Sequence, residues 1–185
     1  MRHLYTLLCA SLLTVSVAFG QSTTHYANGQ VKQSTETPAS CSCKWITNYH
    51  ENGQIAERYR VLLNNNQRDG EYLSFFENGK QEKVMQWKNG VLDGPQKAYY
   101  LNGTLRSSTH YLKGKKSGEW QFFNEKGELE STETNEGDLT VRTFYYQGKV
   151  YRIEQYKDAL LVDTQIIDAS LFEAYKKSHT DGATK

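Results

Sequence analysis

Glycine falls on a beat in this chain. Turn-type glycines stand at positions 29, 53, 79, 103, 127 and 148, so successive steps are 24, 26, 24, 24 and 21 residues. Two positions past each lies an apolar residue (Val31, Ile55, Leu105, Leu129, Val150), with Gln81 as the exception. The clearest copies lie in residues 70–118. Asn78-Gly79 overlays Asn102-Gly103, Asn89-Gly90 overlays Lys113-Gly114, and Asp93-Gly94 overlays Ser117-Gly118. Phe75-Phe76 falls on Tyr99-Tyr100, and Trp87 on Tyr111. A unit this short cannot bury an apolar face alone and must stack on its neighbours, so the period fixes the architecture before any local reading does.

With a second set of turns at Gly70, Gly90, Gly94, Gly114 and Gly118, and with Gly137, twelve of the fourteen glycines sit at repeat turns. They serve the backbone, where the chain must reverse with φ above zero. No Gly-x-Gly-x-x-Gly or Gly-Lys-Ser/Thr arrangement accompanies them, which argues against a phosphate cradle.

Each half-unit reads as a hairpin. Asn-Gly at 28-29, 52-53, 78-79 and 102-103 predicts two-residue type I′ turns, with Lys126-Gly127 and Gln147-Gly148 as degenerate forms. Between turns the side chains alternate. Tyr72, Ser74 and Phe76 are expected on one face, as are Trp120, Phe122 and Asn124, with Phe75, Tyr99 and Phe123 on the other. Aromatics on both faces, interleaved with Lys and Glu, predict a thin sheet covered partly by its own rings and lacking a deep core.

The run Asp93-Gly94 to Asn102-Gly103, its near-copy at 69–79 and the weaker form at 117–127 resemble the MORN repeat, in the variant found in many bacterial proteins. The resemblance spans about residues 25–157. It implies an all-β fold: an elongated meander of tandem β-hairpins. Such chains often carry an antitoxin or immunity label, and MORN arrays elsewhere are linked to scaffolding and lipid contact. Activity does not follow from fold.

Residues 1–20 read as a secretory signal. Arg2 and His3 give the basic start, residues 4–17 an apolar run, and Ala18-Phe19-Gly20 a small-residue cleavage site. The protein is therefore expected in the periplasm, in the cell envelope or secreted. Loss of Arg2 leaves 21 basic against 21 acidic residues, a balance that argues against nucleic acid, which needs clustered cations. Lys113, Lys115 and Lys116 form the one basic knot, read as a solvated turn or as contact with an anionic headgroup. Residues 21–48 are expected to hold a divergent first repeat, 49–157 the tandem repeats, and 158–185 a cap and loose tail. In the cap, Ser170 to Glu173 has a capping-box pattern opening a short helix to about Lys177.

Cys41 and Cys43, once Cys9 has left with the leader, form an exported pair at the turn of the first repeat. Three readings stay open: a short-range disulfide, pairing with another chain, or free thiols, including metal capture with His25 or His50. Two sulfurs and scattered histidines fall short of a structural zinc set, so no metal or cofactor is expected. Catalysis finds no signature either. His25, His50 and His110 lie within repeats, Glu51 and Glu77 stand beside turns, and no Gly-x-Ser-x-Gly or His-Glu-x-x-His occurs.

The expectation is a non-catalytic module binding a protein partner or acting as a scaffold. The alternatives are an immunity-type protein against a toxin domain, and a glycan or membrane-surface binder. Candidate binding-face aromatics are Tyr72, Phe76, Trp87, Tyr99, Tyr100, Tyr111, Trp120 and Tyr145, with mutual cross-strand packing as their ordinary role.

Overall fold

The computed structural model describes residues 18–136 and 138–180. Most of the expected leader, residues 1–17, lies outside them, while the backbone of 18–20 belongs to the first strand. Fifteen strands form one antiparallel sheet. They are β1 Ala18–His25, β2 Val31–Pro38, β3 Cys43–Tyr49, β4 Ile55–Leu62, β5 Arg68–Phe75, β6 Gln81–Lys88, β7 Val91–Leu92, β8 Gly94–Tyr99, β9 Leu105–Leu112, β10 Lys115–Lys116, β11 Trp120–Phe123, β12 Leu129–Glu136, β13 Leu139–Tyr146, β14 Lys149–Lys157 and β15 Leu160–Ile166. Strands pair in sequence order, with the two-residue β7 and β10 turned back onto β6 and β9. One helix among the described residues, α1 Ala169–Thr180, follows. The expected all-β meander with a helical end is what forms. Buried apolar side chains among the described residues are few: Cys43, Val61, Ala98 and Tyr151.

Two kinds of turn alternate, and they divide differently from the sequence expectation. At Asn28-Gly29, Asn52-Gly53, Asn78-Gly79 and Asn102-Gly103 only the glycine has positive φ, between 78° and 95°. The loop is one residue longer than a type I′ hairpin: Tyr26 N donates to Gln30 O and Gly29 N to Tyr26 O, and the pattern recurs at each copy. Asparagine is there for its side chain. Asn28, Asn52, Asn78 and Asn102 each accept, on Oδ1, the amide N–H two residues on, at 2.8–3.0 Å. The two-residue turns with positive φ at both positions are Asn89-Gly90, Lys113-Gly114, Gln147-Gly148 and Asp158-Ala159. Gln147-Gly148 thus belongs with this second kind.

The turns also explain how one repeat grips the next. At three of the longer turns the opening residue reaches the chain of the following repeat. Tyr26 Oη donates to Tyr49 O (2.7 Å), His50 Nε2 bonds Phe75 O (2.9 Å), and Tyr100 Oη donates to Phe123 O (2.8 Å). A carbonyl oxygen only accepts, so His50 carries its proton on Nε2. On the opposite rim, the Asp-Gly pairs clamp the succeeding two-residue turn. Asp69 Oδ1 accepts from Asn89 N and Asp93 Oδ1 from Lys113 N, while Gly90 N and Gly114 N donate to Arg68 O and Leu92 O. The units that carry Asp69 and Asp93 are therefore hydrogen-bonded to the next along this rim.

Phe76 opens a turn in the same register but carries no donor. Phe76→Tyr should restore the missing rung toward the Tyr99 carbonyl and raise stability by about 1 kcal/mol, the net worth of one added hydrogen bond. Urea midpoints of the two proteins measure it; an unchanged or lower midpoint refutes the rung.

The 26-residue step is a loop insertion at 63–67, held by Asn66 N to Leu62 O and by Gln67 N to Asn65 Oδ1. Leu63 N also donates to Ser42 O, tying this loop to the Cys41 turn. Cys41 and Cys43 are joined in a disulfide, the short-range bridge among the three readings, with Cα atoms 5.2 Å apart. Helix α1 starts earlier and ends later than expected. Its cap is Asp168, whose Oδ1 accepts from Leu171 N at 3.0 Å, and Ser170 Oγ donates to that same carboxylate. These hydrogen bonds hold the Asp168 carboxyl below its ordinary value. His179, expected in a loose tail, is in the last turn of α1.

Candidate binding face

Register decides which side chains share a face. Tyr59 stands opposite Tyr72, Tyr72 opposite Met85, and Gly70 opposite Trp87. Farther along, Ala98 stands opposite Ser107, Gly94 opposite Tyr111, and Ser107 opposite Phe122, two residues from Trp120. Tyr72, Trp87, Tyr111 and Trp120 therefore line one face, as expected for these four. Ser74 follows them, but Phe76 has left the strand and opens a turn, as do Tyr100 and Asn124. Tyr99 faces the other side. Tyr145 lines a cleft of about 490 Å³ with Tyr146, Tyr175 and His179, between the 124–128 turn and α1. The eight aromatics do not make one surface.

What the four build is a set of cation–aromatic clusters. The Arg68 guanidinium lies 4.7, 4.9 and 5.3 Å from the ring centres of Tyr59, Tyr72 and Trp87. The Lys116 ammonium lies 4.2 Å from the Trp120 ring, which packs against Tyr111 with ring centres 5.0 Å apart. Each such contact contributes on the order of 1 kcal/mol. The sequence suggested no role for Arg68, and for Lys116 only a place in a basic knot, yet the repeat contains the signal. Arg68, Leu92 and Lys116 all stand immediately before an Asp-Gly or Ser-Gly pair, and Tyr72, Gln96 and Trp120 lie two residues after it. The outer copies pair a cation with a ring, while the middle copy has Leu92 and Gln96 instead. Gln96 is buried, and its Nε2 donates to Gln86 O and Gly94 O.

Polar ladders hold this face in place. Gln33 Nε2 donates to Asn48 Oδ1, Asn48 Nδ2 to Glu57 Oε1, and Tyr72 Oη to Glu57 Oε2 (2.6 Å), a line across four strands. Burial, with the Glu57 hydrogen bond and charge, pushes the Tyr72 phenol well above its ordinary value. Beyond Trp120, Glu133 is 4% exposed and bridges Lys116 and Arg142, the latter at 2.6 Å. Burial alone would raise its carboxyl, but the ammonium and guanidinium outweigh it and hold it below the usual carboxylate range. Glu57, Tyr72 and Glu133 are thus engaged in cross-strand ladders. His50 serves a rung, and the His110 carbonyl accepts from Trp120 Nε1 at 3.0 Å.

Residues 68–89 and 92–113 each match the MORN repeat variant family. The two matched stretches are the units that carry the Asp69 and Asp93 clamps. No curated protein matches the chain.

Proposed function

We propose that the protein is an exported, non-catalytic scaffold of the cell envelope that binds a protein partner through the Arg68–Trp87–Trp120 face. The observation that carries this reading is the pairing of Arg68 and Lys116 with Tyr59, Tyr72, Trp87, Tyr111 and Trp120 on one side of the sheet. Tyr, Trp and Arg are the residue types that anchor protein interfaces, because they present large, stiff, amphipathic area at small entropic cost. Two matched MORN-variant repeats are consistent with such a module. Glu57 and Glu133 beside the face are engaged in ladders and His50 in a rung, which supports a binding role over chemistry.

Leader removal during export is checked by N-terminal sequencing of the envelope protein, where the expected first residue is Gln21. Binding is checked by co-purification from that fraction. A single stoichiometric protein should be retained by the native chain and lost, by a factor of roughly ten or more, from the Arg68→Ala, Trp120→Ala double variant with an unchanged circular-dichroism spectrum. Equal retention by the two refutes the face. A toxin-domain partner supports the immunity reading instead. Retention on peptidoglycan or anionic vesicles that salt removes supports surface binding.

A further inference from the structure

Among the described residues the strand order leaves the sheet two free edges, β1 and β15. They differ in chemistry. Residues 20–24 of β1 are Gly-Gln-Ser-Thr-Thr, exposed and without a large apolar side chain. Strand β15 is Leu-Leu-Val-Asp-Thr-Gln-Ile, with every residue exposed. Leu160 is 71% exposed, Leu161 54%, Val162 55%, Ile166 43%, and Ile167 just beyond it 53%. Natural edge strands are ordinarily blunted by charge, proline or a covering element. Here the one charged side chain is Asp163, and it already accepts from Gln165 Nε2 at 3.1 Å. Helix α1 follows immediately but packs back on Tyr151 of β14 through Phe172 and Tyr175, leaving β15 uncovered.

We propose that β15 is a dimerisation edge that takes β15 of a second copy of this chain, antiparallel, across a twofold axis. A β15-to-β15 contact sets aliphatic side chains against aliphatic side chains and closes on itself. A β15-to-β1 contact would set them against Gly, Gln, Ser and Thr, and it would repeat without end into a filament. The area suits a weak, specific pair. Five aliphatic residues about half exposed offer roughly 450 Å² per copy, or about 900 Å² for two, and the backbone strips bring the total near the ~1,000 Å² at which specific interfaces begin. Such an interface dissociates on the order of 10 µM, because area near the lower limit leaves little surplus over the cost of association. The edge lies apart from the Arg68–Trp120 face, so a dimer would present two copies of that face together.

Sedimentation equilibrium of the mature protein should find monomer giving way to dimer between about 1 and 200 µM. The Leu161→Lys, Val162→Lys variant should stay monomeric across that range. Gln21→Lys, Thr23→Lys on the other edge should leave the mass curve unchanged. Hydrogen exchange on the unaltered chain reads the same event independently: β15 amides should gain protection with concentration while β1 amides do not. A chain that stays monomeric throughout overturns the proposal. So does a dimer that survives the β15 substitutions, or growth beyond the dimer that the β1 substitutions abolish.

Discussion

Replacing Tyr151 with alanine is expected to destabilise the C-terminal end of the array by about 3–5 kcal/mol, the range for removing a large buried ring. Tyr151 is 1% exposed, and its size makes it the closest thing to a core residue in a sheet with little core. Its ring stacks on Phe172 (centres 6.1 Å apart) and Tyr175 (5.1 Å), and lies 6.3 Å from Phe144. Helix α1 is docked largely through those contacts. Its last turn carries Lys177 and His179, and a 12-residue helix is marginal in water on its own. In a repeat array stability is close to a sum of neighbour terms, so the loss should stay local. Hydrogen exchange should therefore find α1, β14 and β15 frayed in the alanine variant, with β4 to β9 as protected as before.

Tyr151 also sets an alkaline limit. Burial, and then the neighbouring Tyr175, push its phenol up to about 12 from 10.0. A folded value raised above the unfolded one gives stability that is whole below pH ~10 and is lost as the pH climbs toward 12. Tyr151→Phe keeps the ring and should keep the helix. A loss in Tyr151→Ala below about 1 kcal/mol, or fraying spread evenly along the sheet, would defeat the docking account.

The period told the architecture because each turn repeats the same backbone demand. What it could not separate was the kind of turn. Asn-Gly satisfies a type I′ turn, where both residues need positive φ, and equally a longer turn where Asn supplies Oδ1 and Gly alone takes positive φ. Loop length decides, and alternating side chains fix it only to within a residue. Gln147-Gly148 and Asp158-Ala159 have no asparagine and still make the tighter turn, because strand pairing on both sides sets the two-residue gap.

The segment 128–136 is acidic and rich in threonine, a poor match to the aromatic strands of the other units. It forms β12 all the same, and Ser131, Thr132 and Glu133 are buried in it. The partners that make this tolerable, Lys116 and Arg142, come from β10 and β13, a long-range pairing that no local pattern displays. The cation–aromatic clusters were legible in principle, since positions 68 and 116 are equivalent in the repeat.

Glu133→Gln is expected to cost about 2 kcal/mol at neutral pH. Breaking a fully buried ion pair costs about 3–5 kcal/mol, because a charge is left uncompensated. Here the carboxylate is 4% exposed, but the Lys116 and Arg142 side chains are 44% and 38% exposed. The orphaned cations can turn partly to water, so the lower figure applies. The change touches a second contact, since Lys116 is also the cation over Trp120. Fluorescence of the tryptophans should shift in the glutamine variant even where it remains folded. The acid limb supplies the sign. The folded carboxyl lies below its ordinary 4.5, so its contribution is complete above that pH and disappears as the pH falls through the depressed folded value. Urea unfolding of the two proteins should then differ by about 2 kcal/mol at pH 7, and the gap should narrow steadily on acidification below pH 4.5. A gap that stays constant down to acid unfolding would mean that packing of the Glu133 side chain, and not its charge, holds β10, β12 and β13 together.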